Sequence, residues 1–159
     1  MEQKWIIELA DEQDARAILD LQRLAYQSEA AIYDDYTIAP LTQTLEETLA
    51  DFEQQVVLKA TVDGRIVGSV RGRLRGDSCE IGRLIVHPDL QNRGIGTALM
   101  NRIEQHFPAV RRFELCTGHA SERNLYLYGR LGYHAFDRRP VSNNLTMVLM
   151  EKSGATGPR

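Results

Sequence analysis

Cysteine is scarce in this sequence, and what there is does not resemble a metal site or a disulfide framework. Cys79 and Cys116 are the only cysteines, and neither has a CxxC partner or a histidine at zinc-binding spacing. We therefore expect two reduced thiols in buried strands, as in a cytoplasmic protein, and no metal ion. A cysteine nucleophile has no support from the neighbouring residues.

Long apolar runs are also missing, and neither sign of charge is in large excess. No run approaches the ~20 apolar residues of a membrane span, and the first residues are charged too early for a signal peptide. The 19 Lys and Arg against 22 Asp and Glu give a net charge of −3, too mild for a general nucleic-acid binder. We expect neither a membrane nor a nucleic acid as partner.

The chain is long enough for one domain with its own core, since about 100–200 residues usually form a single domain. We predict that this domain covers residues 1–152 and that residues 153–159 form a disordered tail. Hydrophobic periodicity predicts an α/β (α+β) chain in the order β-α-α-β-β-β-α-β-α-β-β. The predicted strands cover residues 5–9, 56–62, 65–74, 78–87, 113–118, 133–137 and 145–150.

Four helices are predicted between these strands. Asp11 and Asp14 form a capping box before a first helix that ends near Gln27, and Thr42 or Thr44 caps the second helix. The segment between them, residues 28–41, is predicted to be an acidic and aromatic loop that ends at Pro40. The other two helices cover residues 94–107 and 121–131.

The most informative segment joins the fourth predicted strand to the third predicted helix. The first turn of a helix leaves backbone N–H groups unpaired, and the helix dipole adds positive charge there. Gly94 and Gly96 remove the Cβ atoms that would hold a diphosphate away from these donors, and Gln91 and Arg93 can add side-chain donors. The alternative is an ordinary helix start with two incidental glycines.

Two other phosphate motifs do not fit this segment. A Walker loop ends in Gly-Lys-Ser/Thr, whereas Gly96 is followed here by Thr97 and Ala98. A Rossmann fingerprint has a third glycine where this chain has Leu99.

Two motifs together resemble those of the GNAT acetyltransferases. Gln91-Asn92-Arg93-Gly94-Ile95-Gly96 is similar to the family signature Gln/Arg-x-x-Gly-x-Gly/Ala, and Val86-His87-Pro88 precedes it as in many members. Leu127-Tyr128-Gly129-Arg130-Leu131-Gly132-Tyr133 resembles the second signature, Leu-Tyr-x-x-Leu-Gly-Phe/Tyr. The resemblance implies a mixed, mostly antiparallel sheet of about seven strands with about four flanking helices.

The resemblance also implies acetyl-CoA as co-substrate and assigns residues to it. Backbone groups of Leu84, Ile85 and Val86 are expected to pair with the pantetheine arm. The pyrophosphate is expected on Gln91, Asn92, Arg93, Gly94, Ile95, Gly96 and Thr97. Many members place an asparagine where this chain has Ser121, so we expect Asn124, one turn further on, to take over its contact with the arm; Ser121 itself suits a helix N-cap.

For catalysis, the resemblance places Tyr128 where the family has the tyrosine that protonates the departing thiolate. A phenol and a thiolate have comparable basicity, so the proton transfer is reasonable; a tyrosine that only packs at a helix end is the alternative. Glu80 is the candidate general base, as a partly buried carboxylate with a raised pKa. His119 and ordered water remain rivals for that role.

The loop over residues 28–41 is expected on the acceptor side in this fold. Tyr33, Asp34, Asp35 and Tyr36 would suit a cationic or amine-bearing acceptor, because carboxylates attract an ammonium group and aromatic rings can face it. A solvated acidic loop is the alternative.

Three functions stay open at this point. The chain is an N-acetyltransferase that acts on a primary amine of a small molecule or protein, a catalytically silent acyl-CoA-binding module, or an unrelated α/β domain that binds another phosphate. The acceptor is not evident from the sequence, and a homodimer is compatible with the family.

Overall fold

The computed structural model of the chain describes residues 4–155 and contains one seven-stranded sheet. The strands are β1 (Ile6–Leu9), β2 (Val56–Val62), β3 (Arg65–Arg75), β4 (Ser78–Val86), β5 (Arg112–Gly118), β6 (His134–Pro140) and β7 (Thr146–Ser153). Their spatial order is β1-β2-β3-β4-β5-β7-β6, and every neighbouring pair is antiparallel except β4 and β5, which are parallel. The predicted mixed, mostly antiparallel sheet of seven strands is confirmed.

Six α-helices accompany the sheet within the described residues. They are α1 (Ala15–Ala25), α2 (Gln27–Tyr33), α3 (Ala39–Thr42), α4 (Leu45–Gln54), α5 (Ile95–Gln105) and α6 (Glu122–Arg130). The predicted capping box of Asp11 with Asp14 is present, and Thr44, one of the two predicted caps of the second helix, forms a further capping box with Glu47. None of these helices combines the length and apolar character needed to cross a membrane.

The predicted loop over residues 28–41 is wrong, because most of that segment is helical. Helix α2 starts directly after Tyr26 and ends at Asp34, which adopts a left-handed conformation with φ of 49°. Helix α3 follows with Pro40 in its first turn, where the missing proline N–H costs nothing. The acidic and aromatic composition did not indicate this two-turn helix. The helix places Glu29 on the inner side of the molecule.

Helix α5 lies close against β3 because two glycines leave room for it. A Cβ atom at Gly68 would meet Leu99 Cδ1 at 3.0 Å, and one at Gly72 would meet the Phe107 ring at 3.0 Å. The buried face of α5 contributes Ile95, Leu99, Met100 and Ile103 to the main core. This packing fixes the N-terminus of α5 beside the end of β4.

Strands β4 and β5 pair only at their starts and then separate. The paired residues are Ser78 with Arg112, Cys79 with Phe113 and Glu80 with Glu114. Beyond Glu80, β4 keeps its bonds to β3 but has no partner on the β5 side. A parallel pair that opens in this way leaves a cleft in the middle of the sheet.

The last strand runs further than the sequence predicts. Strand β7 ends at Ser153, and the Gly154 amide donates to the Arg111 carbonyl oxygen at 2.7 Å. The first two residues of the predicted tail therefore belong to the folded domain, and residues 156–159 lie outside the described residues.

Candidate functional site

A cavity of about 1080 Å³ occupies the cleft between β4 and β5. Its walls come from the separated halves of both strands, the loop before α5, the inner faces of α2 and α6, and the β6–β7 connection. Most of the sequence-predicted site residues lie in these walls: Tyr33, Leu84, Ile85, Val86, Gln91, Asn92, Gly94, Ile95, Gly96, Thr97, Asn124 and Tyr128. The remaining four, Glu80, Arg93, Asp34 and Tyr36, do not line it.

The loop that enters α5 presents unpaired backbone donors to the cavity. The first helical hydrogen bond of α5 runs from the Ala98 amide to the Gly94 carbonyl oxygen at 3.0 Å. Within residues 4–155, none of the backbone amides of residues 91–97 donates to a protein acceptor. Together with the helix dipole, these donors make a binding site for a multiply charged anion.

Left-handed backbone conformations give this loop its shape. Asn92 and Gly94 have φ of 63° and 92°, and Gly94 is the residue before the first turn of α5. His87 fixes the start of the loop, since its Nδ1 atom accepts from the Asp89 amide at 3.1 Å, as expected of a residue that caps the strand end. Arg93 is exposed and does not line the cavity, and its contact with a pyrophosphate stays a prediction.

Gly96 is not required by the protein's own packing. A Cβ atom there would meet Leu127 at 3.6 Å, Val86 at 3.8 Å and Leu84 at 3.9 Å, all ordinary van der Waals distances. Its φ is not in the left-handed region. The space that glycine leaves at this position therefore faces the cavity.

Tyr128 reaches the cavity from α6 and is almost fully buried. Its ring packs edge-on against Tyr133, with the centroids 6.1 Å apart. Burial, reinforced by the neighbouring Tyr26, Cys116 and Glu29, raises the pKa of Tyr128 far above that of a free phenol. No side chain within residues 4–155 hydrogen-bonds its hydroxyl, so a neutral O–H is available to a ligand.

Glu29 is a cavity residue that the sequence did not indicate. It lies on α2, where its carboxylate accepts from Ser121 Oγ and, at 2.9 Å, from Asn124 Nδ2. Asn124 also donates to Thr117 Oγ1 at 3.3 Å, so α2, α6 and β5 are joined through this carboxylate. Two of its lone pairs remain for a ligand, and it belongs to the group of charges around the Tyr128 hydroxyl.

Glu80 does not occupy the place that was expected of a general base. It lies outside the cavity and forms ion pairs with Arg73, at 2.9 Å, and Arg75. Burial alone would raise its pKa, but the hydrogen bonds and charges of Arg75 and Arg73 outweigh it and lower the pKa of Glu80. The prediction of a raised pKa is wrong, because two arginines on the neighbouring strand stabilise the ionised form.

The predicted acceptor residues fall into two groups. Tyr33 lines the cavity, but its hydroxyl is held by Ser121 Oγ at 2.7 Å and by the Ala120 amide at 3.0 Å, so it also fixes the turn between β5 and α6. Asp34 ends α2 in the left-handed conformation and is exposed, and Tyr36 is 55% exposed. Neither of these two residues lines the cavity, whereas Asp35, the other acidic residue predicted on the acceptor side, does.

His119 is held in a structural contact. Its Nδ1 atom accepts from the Thr146 amide at 3.0 Å, and its ring packs against Tyr33 with the centroids 5.5 Å apart. His119 does not line the cavity either. These contacts tie the start of β7 to the end of β5.

Arg83 and Tyr26 are two further cavity residues that the sequence did not indicate. The register between β3 and β4 shifts between Ser69 and Arg71, and Arg83 occupies this β-bulge with φ of 51°. The Tyr26 side chain faces Arg83 and Glu29, and burial raises the pKa of Tyr26. A bulge arises from strand pairing across the sheet, which no local pattern around Arg83 reveals.

The cysteines and acidic residues do not suggest metal or thiol chemistry. Both cysteines are free thiols, and burial raises the pKa of Cys79 to about 12, which keeps it protonated at neutral pH. Within the described part of the chain, no group of three or more His, Cys, Asp or Glu side chains is placed to hold a metal ion.

Solved structures share this fold. An N-acetyltransferase of Thermoplasma acidophilum, PaiA, in complex with coenzyme A superposes with a TM-score of 0.80 at 16% identity, over 94% of this chain and 99% of that one. The ribosomal-protein-S18-alanine N-acetyltransferase of Escherichia coli gives 0.81 at 15% identity, over 98% and 97%. A Salmonella typhimurium acetyltransferase with its cofactor acetyl-CoA gives 0.78 at 19% identity, over 98% and 97%.

The amino-acid sequence also matches a family model. The model of the acetyltransferase (GNAT) family covers residues 15–133, from the start of α1 to the residue before β6. This range includes the anion-binding loop, the cleft between β4 and β5, and Tyr128. The chain therefore belongs to the GNAT acetyltransferase family.

Proposed function

We propose that this protein transfers an acetyl group from acetyl-CoA to the primary amine of a small molecule or protein. The observation that carries the proposal is the row of unpaired amides at residues 91–97, which opens onto the cleft between β4 and β5. One site thus offers donors for a diphosphate and, next to it, an unpaired strand edge. Two structural neighbours, solved with coenzyme A or acetyl-CoA, support this choice of co-substrate.

We infer the orientation of the coenzyme from the donors in the cavity wall. The amides at the head of α5 would hold the pyrophosphate, and the unpaired edge of β4 at residues 84–86 would hydrogen-bond the amide groups of the pantetheine arm. The arm would complete the sheet where β5 has moved away. Its thioester end then lies near the buried Tyr128 hydroxyl.

Acetyl transfer in this site needs one proton acceptor and one proton donor. The amine nitrogen forms a bond to the acetyl carbon, and the bond between that carbon and the coenzyme sulfur breaks. Glu29 accepts the proton that leaves the amine, directly or through water, and Tyr128 donates its proton to the departing thiolate. The products are the N-acetylated amine and the free thiol of coenzyme A.

Binding and turnover are tested separately. Acetyl-CoA at about 100 times its Kd should stabilise the fold by roughly 2.7 kcal/mol and raise Tm by about 5–10 °C, whereas ATP and NAD⁺ should have smaller effects. Release of free thiol in the presence of an amine panel measures turnover. Equal stabilisation by all three nucleotides would contradict the assignment of the co-substrate, and stabilisation without thiol release would indicate a silent binding module.

Gly96→Ala tests whether the bound coenzyme, and not the fold, requires a glycine at this position. Alanine fits the fold at this position and favours the helix by roughly 0.5–1 kcal/mol, so Tm should stay the same or rise. Its methyl group enters the cavity, so the Kd for acetyl-CoA should rise by about tenfold or more, a loss of roughly 1.4 kcal/mol of binding. Isothermal titration measures this.

Gly129→Ala is the matched control, because Gly129 lies in α6, has open space around its Cβ position and does not line the cavity. It should leave the Kd for acetyl-CoA unchanged. Equal affinities of Gly96→Ala and the wild type would show that the pyrophosphate does not approach this turn.

A further inference from the structure

One cationic side chain in the cavity wall, that of Arg83, has a buried nitrogen that no acceptor in the described part of the chain satisfies. Its Nε atom is buried and has no hydrogen-bond partner, and the side chain forms no ion pair within residues 4–155. The side chain as a whole is half-buried, but a buried N–H donor without an acceptor is costly, because it loses its hydration without replacement. Most such groups in folded proteins are paired, so this one calls for an explanation.

The guanidinium of the neighbouring Arg71, in contrast, has partners. Arg71 pairs with Asp51 at 2.7 Å and also contacts Gln43. Arg83 is close enough to repel Arg71, and together with burial this lowers the pKa of Arg71, although Asp51 opposes it. Asp51 thus pairs with Arg71, and Arg83 has no ion pair of its own within residues 4–155.

The backbone holds Arg83 in position at a cost. Its φ of 51° lies in the left-handed region. Outside a β-bulge, this conformation costs a residue with a side chain about 1–2 kcal/mol. The bulge places Arg83 in the cavity wall, opposite Tyr26 and Cys116, which line the same cavity. Strained residues of this kind concentrate at sites that bind ligands.

Glu29 and Arg83 have opposite charges, and both line the cavity. Both act on the Tyr26 hydroxyl, Glu29 from α2 and Arg83 from β4. An acceptor whose amine faces Glu29 and the thioester would therefore have Arg83 in the wall of the same cavity, available to its other end. A guanidinium forms two parallel hydrogen bonds with a carboxylate, which is the planar anion that it fits best.

We propose that the acceptor is a small amine that also carries a carboxylate, such as an amino acid, and that Arg83 binds this carboxylate. This inference rests on the proposed acetyl transfer and adds the class of its acceptor. Glu29 selects the amine end and Arg83 the acid end. An amine without an anionic group would leave Arg83 unpaired when it is bound.

The test compares acids with their amides. The common L-amino acids and their carboxamides have the same side chain and α-amine, but only the acid has the carboxylate; the amine of the carboxamide is also less basic, which by itself favours its acetylation. Binding to the protein saturated with coenzyme A is measured by titration calorimetry, and turnover with acetyl-CoA by thiol release. The best acid should have a Kd about 10- to 100-fold lower than that of its carboxamide, and a kcat/KM higher by a similar factor.

Three variants assign the preference to Arg83. In Arg83→Gln, the ratio of the acid to its carboxamide in Kd and in kcat/KM should be near one. The Kd for acetyl-CoA and Tm should stay close to the wild type. Arg83→Lys should keep part of the ratio, because it retains the charge and loses the bidentate geometry. Arg73→Gln is the matched control, since Arg73 lies on β3 outside the cavity, and its ratio should equal that of the wild type.

Two results would overturn the inference: no acid preferred over its carboxamide, or a preference that survives Arg83→Gln. O-phosphoethanolamine tests the other anion, and tighter Arg83-dependent binding of this amine than of any amino acid would overturn the choice of a carboxylate. If amines without an anionic group released thiol as fast as the acids do, the proposed acetyl transfer would stand and the proposed acceptor class would be refuted. Arg83-dependent binding of acids without thiol release would retain the site and refute the transferase.

Discussion

Tyr128→Phe is expected to lower kcat for acetyl transfer by about 10²- to 10⁴-fold, the usual contribution of a positioned general acid. The variant removes only the hydroxyl, which has no hydrogen-bond partner among residues 4–155. The ring keeps its edge-on packing against Tyr133, so the fold loses little. Without the hydroxyl, the thiolate of coenzyme A must leave as an anion in a buried site.

The pH dependence provides a second signature of this tyrosine. Burial favours the neutral phenol, so the pKa of Tyr128 in the folded protein lies above its value of about 10 in the unfolded chain. A group with a raised pKa contributes its full stability below the unfolded pKa and loses it as the pH rises. The wild type should therefore lose Tm more steeply than Tyr128→Phe above about pH 10.

Steady-state kinetics and calorimetry distinguish catalysis from binding in this variant. The Kd for acetyl-CoA should stay within about threefold of the wild type, because in the proposed complex the pyrophosphate binds at the head of α5, away from this hydroxyl. A burst of thiol release must also be absent, since the loss falls on the chemical step. A variant that turns over at the normal rate would remove Tyr128 from the mechanism and leave water as the proton donor.

The parts of the site that follow from short sequence segments were predictable. The glycines at 94 and 96 begin a helix directly after a strand, and their amides are unpaired because every helix start leaves its amides unpaired. Tyr128 lies on a helix that the periodicity indicated, and the helix faces the same cleft. Local spacing was sufficient because each of these features is built within one strand–loop–helix unit.

The carboxylate that we propose as general base was not predictable in the same way. Glu80 precedes the loop on β4, as the family resemblance suggested, but the strand order places Arg73 and Arg75 of β3 beside it. Glu29 enters the cavity because α2 continues α1 and packs across the β5–α6 turn, where Ser121 and Asn124 contact it. Both outcomes depend on tertiary contacts between residues far apart in sequence.

Glu29→Gln is expected to lower kcat/KM for the amine by about 10²- to 10³-fold at neutral pH. The amide has almost the same shape, and its oxygen can still accept from Asn124 Nδ2, which donates to Glu29 at 2.9 Å. It can neither accept the amine's proton nor attract the ammonium form. The rate of this variant should rise with pH as the fraction of free amine in solution increases, and part of the loss should be recovered at alkaline pH.

Glu80→Gln is the matched control, with the same chemical change at a carboxylate outside the cavity. Its partners Arg73 and Arg75 are 45% and 73% exposed, so solvent screens both ion pairs and the loss of stability should stay below about 1 kcal/mol. Its kcat/KM should remain within about twofold of the wild type, because its lowered pKa already makes it a weak base. The opposite result would be an inactive Glu80→Gln variant and an active Glu29→Gln variant. It would mean that the two arginines release Glu80 when the acceptor binds. Glu29 would then be a structural link between α2 and α6, and the general base would be the residue that the family resemblance first indicated.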